Sequence, residues 1–139
     1  MNARGYALLT GIVLGMFGVA SLVPGLAHPV PADAPPLMVS DLYGYVLGVF
    51  PVNAVETVLY IAFGTLGVSA WHGLVRPESF ARLTAVAFTM LTVMGLAYPA
   101  NIAFGLAPVY GADVALHAVI AASAAAYGIV WRATPTLRA

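Results

Sequence analysis

Two ionisable side chains near the end of the chain have the types and spacing of a polar site inside a helix. Asp113 and His117 are four residues apart within an apolar stretch, residues 108–132. On a helix, residues at this spacing share one face. Ionisable groups inside a membrane helix usually face the bundle interior and have a polar partner there. This pair is therefore the first candidate for a binding site.

A second apolar stretch, residues 51–73, matches the first at a constant offset. Glu56 corresponds to Asp113, and Tyr60 corresponds to His117. Two similar helices that cross a membrane in the same direction predict an internal repeat, with the site at the interface between its halves. We therefore expect these four side chains to meet. Further polar side chains that can reach them from helix ends and loops are Asn53, Asn101 and His28.

Such a cluster is compatible with several ligands, and the sequence leaves the cofactor open. Glu56, Asp113 and His117 offer two carboxylates and one imidazole nitrogen, a donor set that suits zinc or iron. His117 alone can form one axial bond to haem or a pigment. Beside Tyr60, the same groups can hold a proton or a small molecule. In a simpler interpretation, the two acids only stabilise helix N-termini at the water interface.

The composition indicates a membrane protein. Of the 139 residues, 62% are hydrophobic and 7% are charged, whereas a soluble domain would be about 25% charged. The absence of Lys leaves no basic face for nucleic acid, and the absence of Cys excludes thiol chemistry. A nucleophile next to a base is also missing, so we predict no catalytic residues and no enzyme activity.

Four apolar segments predict one all-α domain over residues 1–139, a four-transmembrane-helix bundle. A spanning helix needs about 20 apolar residues, and the segments lie at about 5–23, 53–74, 78–98 and 112–132. The first is longer than the ~7–15 residues of a signal-peptide core, so we expect a retained helix. The repeat groups the helices into two parallel-repeat hairpins.

The arginines predict the orientation of the bundle. All five lie near the ends of the chain or between helices 2 and 3: Arg4, Arg76, Arg82, Arg132 and Arg138. Because cytoplasmic segments carry the excess of Arg, both termini should be cytoplasmic, with a long extracytoplasmic loop between helices 1 and 2. In that loop, residues 37–50 are apolar but too short to span, so we expect an interfacial helix or a lid. Gly11, Gly15 and Gly18 predict close internal helix packing.

Two short motifs carry a resemblance to a known family. The Pro51-Val52-Asn53 start of helix 2 and the Asp113, Leu116 and His117 pattern of helix 4 resemble a bacterial domain-of-unknown-function family of small four-helix integral membrane proteins. The resemblance implies a multi-pass protein of the bacterial cytoplasmic (inner) membrane and brings no established activity. It also implies that an Asn begins each motif and that a His often follows on helix 2. This chain keeps Asn53 but has Tyr60 and Tyr110 where such polar residues are expected.

Our first functional prediction is a non-enzymatic accessory or structural subunit. It would pack in the lipid bilayer against other membrane subunits, in a complex that converts energy, or against copies of itself. The alternative is a membrane protein that binds a metal, pigment, proton or small molecule through Glu56, Tyr60, Asp113 and His117.

Overall fold

Four α-helices make up most of the protein. The computed structural model describes residues 2–128. The helices are α1 Ala3–Ala20, α2 Ala54–His72, α3 Pro77–Met94 and α4 Ala112–Gly128. The connections contain a 3-10 helix, Ala100–Gly105, and three short strands, β1 Ala27–His28, β2 Gly44–Val46 and β3 Phe50–Val52. The protein is therefore mostly helical, with a small sheet that the sequence did not predict.

Two helices of the described range are long and apolar enough to cross a membrane. These are α1 and α2, with mean hydropathies of 1.5 and 1.3. Helix α4 is apolar but has 17 described residues, and its expected end near residue 132 lies outside the described residues. Only 39% of α1 and 33% of α2 is buried inside the protein. Most residues of each helix are therefore at least partly exposed on the outside of the protein.

The starts of α2 and α3 follow the local signals in the sequence. Asn53 caps α2, because its side chain accepts hydrogen bonds from backbone N–H groups of the first turn. Gly73 ends α2 in the left-handed conformation, with φ of 86°. Pro77 is the first residue of α3, where its missing N–H is not needed.

Two helices end earlier than the sequence predicted. Helix α1 was expected to reach residue 23 but ends at Ala20, where the Ser21 hydroxyl donates to the Gly18 carbonyl over 2.7 Å. Such local bonds compete with the helical pattern. Helix α3 was expected to reach residue 98 but ends at Met94. It ends before Gly95, a poor helix former, and the prolyl ring of Pro99 disfavours helical backbone just before it.

The expected interfacial helix over residues 37–50 is wrong. This segment forms β2 and a tight turn into β3, and β2 also pairs with β1 in an antiparallel sheet. Leu47 and Gly48 adopt positive φ values of 55° and 71°, which turn the chain and break a helix. Gly44 lies so close to the His28 carbonyl that an added Cβ would be 2.7 Å from its oxygen. The long connection is therefore a small sheet at one end of the bundle.

Glycines bring the backbones of α1 and α2 into direct contact. A Cβ added at Gly11 would lie 2.9 Å from the Gly64 carbonyl oxygen, and one at Gly67 would lie 2.6 Å from the Ala7 oxygen. Side chains at these positions would force the helices apart. The predicted role of the glycine face in internal packing is confirmed.

The arginines of the described range lie at one end of the bundle, which we call the arginine end. Arg4 begins α1 and lies beside Gly73 at the end of α2. Arg76 precedes α3, and the Arg82 Nε atom donates to the Gly128 carbonyl at the described end of α4 over 2.9 Å. Helices α1 and α3 thus run antiparallel to α2 and α4. At the opposite end, the loop end, α2 and α4 begin beneath the sheet.

Candidate functional site

Asn53 fixes the first turn of α2. Its Oδ1 atom accepts from the backbone N–H groups of Val55 and Glu56 over 3.1 and 3.3 Å. Its Nδ2 atom donates to the carbonyls of Val39 and Leu106 over 2.8 and 2.7 Å. Asn53 is fully buried, so one side chain joins the helix start to both long connections. This holds Glu56 in a defined position below the loops.

The first turns of α4 carry the second half of the site. Gly111 has a φ of 67° and turns the chain just before the helix begins at Ala112. Asp113 then lies in the first turn and His117 in the next, on the same face. Both side chains are fully buried. The local sequence therefore delivers a carboxylate and an imidazole to the bundle interior.

Four side chains from α2 and α4 meet at the loop end, and we call them the polar cluster: Glu56, Tyr60, Asp113 and His117. Ligand atoms of Glu56, Asp113 and His117 all lie within 4.8 Å of one another. The Nε2 atom of His117 is 3.9 Å from Asp113 Oδ2 and 2.9 Å from the Tyr60 hydroxyl. None of the four residues is more than 2% exposed.

Most polar atoms of the cluster have no hydrogen-bond partner within the described residues. This holds for both carboxylate oxygens of Glu56, both of Asp113 and the Nδ1 atom of His117. Leaving buried acceptors unsatisfied is costly, and leaving buried charges unpaired is costlier still. A cation or a proton between the two carboxylates would therefore lower this cost.

Aromatic rings form the wall of the cluster toward the bundle centre. Phe88 packs edge-on against the His117 ring, with centroids 5.4 Å apart, and stacks on Tyr60 at 6.4 Å. Phe17 lies 6.0 Å from Tyr60 on its α1 side. These rings pack against the imidazole and the phenol and join them to the apolar core cluster that contains Leu14 and Ile120.

Of two further residues expected near the cluster, His28 lies elsewhere. His28 lies in the outer strand β1, is exposed, and contacts Gly48 with its ring, because strand pairing holds it at the surface. Asn101 lies in the 3-10 helix, and its buried Oδ1 atom has no hydrogen-bond partner within residues 2–128. This oxygen therefore makes no hydrogen bond to the polar cluster. The expectation that His28 descends to the cluster is wrong.

The two acids do not lie at water-exposed helix starts, as the simpler interpretation expected. Glu56 and Asp113 do lie in first turns, but each is buried rather than at a water interface. In α2 the capping bonds come from Asn53, and the Glu56 carboxylate makes none. The acids are thus free of capping bonds and face each other.

A tyrosine network above α4 was not predicted. The Tyr110 hydroxyl lies 2.6 Å from that of Tyr43 and 3.0 Å from that of Tyr45, and the Tyr43 hydroxyl donates to the Pro35 carbonyl. Since each hydroxyl has one hydrogen, the donors run from Tyr45 to Tyr110 to Tyr43 to Pro35. Burial, and then the hydrogen bonds to Tyr43 and Tyr45, raise the pKa of Tyr110; burial is also the main cause that raises the pKa of Tyr43. The hydroxyls of Tyr43 and Tyr110 therefore stay neutral at physiological pH.

A further polar contact joins α1 to α2. The hydroxyls of Ser21 and Thr57 are both buried and lie 2.7 Å apart. Thr57 follows Glu56 directly, so this bond ties the site-bearing turn of α2 to the end of α1. No spacing rule pointed to it, because the two residues lie 36 positions apart in the chain.

Comparison with known proteins identifies the family but no activity. Neither curated proteins nor solved structures give a match to the chain. The family described as Domain of unknown function (DUF4383) matches residues 4–130, a range that contains the whole polar cluster. This chain therefore belongs to the DUF4383 family.

Proposed function

We propose that this protein is an integral membrane protein that binds a transition-metal cation between α2 and α4. The observation that carries the proposal is the set of three buried side chains, Glu56, Asp113 and His117, whose ligand atoms lie within 4.8 Å of one another. Two carboxylates and one imidazole suit zinc or iron. The metal would be bound by these three residues.

Charge balance supports a cation at this position. Two adjacent buried carboxylates repel each other, and their charge is costly in a low-dielectric interior. With a neutral imidazole, the ionised site carries two negative charges, which one divalent cation balances. A proton shared between the carboxylates would relieve part of this cost and is the competing explanation.

The distances support binding with small side-chain movements. Ligands at about 2.0–2.1 Å from zinc in a tetrahedral site lie about 3.3 Å from one another. The Asp113–His117 distance is 3.9 Å, and the full set spans at most 4.8 Å. Rotation of the two carboxylates can close this difference without a shift of either helix.

The surface of the bundle supports a position inside a membrane. Large apolar side chains are exposed on all four helices, including Met16 (66%), Val58 (67%), Val93 (62%) and Val119 (68%). Continuous exposed apolar surface is unusual for a soluble protein. We infer four spans in a bacterial inner membrane, with the arginine end and both termini in the cytoplasm.

The internal repeat supports the position of the site. Corresponding residues of the two proposed hairpins, Glu56 with Asp113 and Tyr60 with His117, are neighbours in the bundle. Sites at the interface of internal repeats are common in membrane proteins with this organisation. We infer that the metal would lie close to the axis that relates the two halves.

Metal analysis of the purified full chain tests the proposal. The protein in detergent, after dialysis against chelator, is titrated with Zn²⁺ and with Fe²⁺ and analysed for bound metal. We expect about one ion per chain, with a loss of at least tenfold in affinity for Asp113→Asn and for His117→Ala. The matched controls are Asp41→Asn and His72→Ala, which change exposed residues of the same types and should bind as the wild type does. A wild-type protein that binds neither metal would refute the proposal in favour of a shared proton.

A role as an accessory subunit is the second candidate. It is supported by an apolar groove of about 700 Å³ between α1 and α2 on the outside of the bundle, floored by Gly11, Gly15 and Gly64. Glycines at the bottom of a groove allow a neighbouring membrane helix to approach closely. Crosslinking in membranes followed by gentle extraction should recover a partner subunit or a second copy. A protein that stays monomeric under both treatments would rule this role out.

A further inference from the structure

Tyr60 contacts the proposed metal site but is not one of its three carboxylate and imidazole ligands. It is 1% exposed and lies one helical turn after Glu56 on α2. Its hydroxyl is 2.9 Å from His117 Nε2. The same ring nitrogen lies 3.9 Å from Asp113 Oδ2. A hydroxyl at this position must either remain a hydrogen-bond partner of the imidazole or bind the same ion.

We propose that Tyr60 is a fourth ligand of this site and that, as a phenolate, it makes the site selective for ferric iron. The inference rests on the proposed cation site and adds both a ligand and the identity of the ion. It follows from the spacing of the donor atoms, from the charge of the complete set and from the surroundings of the phenol ring.

The spacing of the Tyr60 oxygen and the His117 nitrogen already suits adjacent ligands of one ion. Two donors at right angles, each about 2.0–2.1 Å from an octahedral ion, lie about 2.9 Å apart. The observed distance is 2.9 Å. When the imidazole carries its proton on Nδ1, the phenol donates to the Nε2 lone pair. That lone pair and the phenol oxygen can turn to one ion without a change in their separation.

Ferric iron balances the charge of the four-ligand set. Binding breaks the Tyr60 O–H bond and forms an O–Fe bond, and the released proton leaves to solvent. Two carboxylates and one phenolate then carry three negative charges, and the imidazole is neutral, so Fe³⁺ gives a neutral site. A divalent ion reaches neutrality with the phenol still protonated. In a buried site the neutral combination is strongly favoured, so Tyr60 ligation and a trivalent ion accompany each other.

The donor atoms and the walls support the same assignment. Three of the four ligands are oxygen atoms. Oxygen ligands bind hard cations better than the soft metal ions that prefer thiolates. The Tyr60 ring is held between Phe17 and Phe88. Substitution of Tyr60 by Phe keeps this packing and removes only the hydroxyl, with its hydrogen bond to His117, so the loss of a ligand is read from the absorption band.

Absorption spectroscopy with Fe³⁺ tests the inference on the full chain in detergent. The probe is ferric nitrilotriacetate, added to the metal-free protein, and the signal is the visible phenolate-to-iron charge-transfer band with its tyrosine ring modes in resonance Raman spectra. We expect the band in the wild type, no band in Tyr60→Phe, and an unchanged band in Tyr6→Phe. Tyr6 is a matched control because it is also buried, 3% exposed, but belongs to the core at the other end.

Zinc binding separates failure of this inference from failure of the proposed function. Circular dichroism and thermal unfolding of the metal-free protein should show that Tyr60→Phe is folded as the wild type is, and Tyr6→Phe should bind Zn²⁺ within threefold of the wild-type affinity. Wild-type protein that binds iron or zinc at the cluster but shows no charge-transfer band would overturn the role of Tyr60 and leave the metal site standing. A band that persists in Tyr60→Phe would also overturn it. Wild-type protein that binds no metal at all would remove both proposals.

Discussion

The two ends of the bundle interior are built from the same four helices in opposite ways. At the arginine end, small and aromatic residues pack against one another: Tyr6, Ala7, Ala70, Phe80, Ala81, Ala85 and Ala124. At the loop end, Glu56, Asp113 and His117 are equally buried, but within the described residues both carboxylates and the Nδ1 atom of His117 have no hydrogen-bond partner. Close packing needs no ligand, whereas two unpartnered buried acids are stabilised by a cation or a proton between them. The contrast supports our proposal that the loop end binds a metal, while the arginine end stabilises the fold.

Truncation in the arginine-end core should have the largest effect on stability. Phe80 is 1% exposed and belongs to this core, so Phe80→Ala should lower the free energy of unfolding by about 3–5 kcal/mol. Thermal unfolding in detergent measures this. Leu83→Ala on the exposed face of the same helix (51% exposed) is the control and should have little effect. Equal losses for both would mean that this end is not a packed core.

At the loop end, a metal should supply stability that the bare protein lacks. Zinc at 100 times its dissociation constant should stabilise the wild type by about 2.7 kcal/mol. Asp113→Asn should lose this gain, and without metal it should unfold at a higher temperature than the metal-free wild type, since one buried carboxylate is removed. Thermal unfolding with and without zinc measures both effects. A metal-free Asp113→Asn protein that is less stable than the wild type would contradict the contrast between the ends.

The glycine contact between α1 and α2 offers a comparison within one helix. Gly11→Ala should destabilise by about 1–3 kcal/mol, because its Cβ would lie 2.9 Å from the Gly64 oxygen. Gly15→Ala should be neutral or stabilising by up to about 1 kcal/mol, since its Cβ has no neighbour closer than 3.9 Å. Unfolding of the two variants in detergent measures the difference. Equal effects would show that the close backbone contact is not formed.

Loss of the tyrosine network should give the smallest change. Tyr110→Phe removes the hydroxyl that joins Tyr43 to Tyr45 and should cost about 1 kcal/mol. Faster proteolysis of the connection before α2, with zinc affinity retained, would locate the effect in the loops. Tyr98→Phe is the control, because Tyr98 is 76% exposed. A large loss of zinc affinity in Tyr110→Phe would instead assign the network to the site itself.

Local signals in the sequence predicted the helices better than the connections. Asn53 and Pro77 lie at or next to the expected starts of helices 2 and 3, and in the structure Asn53 caps α2 and Pro77 begins α3. The small sheet was missed because its strands have three residues or fewer and depend on pairing between distant segments. Leu47 at positive φ also departs from the usual preference for glycine at such positions.

The sequence by itself determined which residues could share a helix face. Spacing along a helix is a local property, so Asp113 and His117 had to lie on one side of α4 wherever that helix packs. Only the tertiary structure decided that this side faces Glu56 and Tyr60, that all four are buried, and that His28 stays outside. Those outcomes depend on how the helices pack, through contacts such as Gly11 with Gly64 and Phe88 with His117 between residues far apart in the chain.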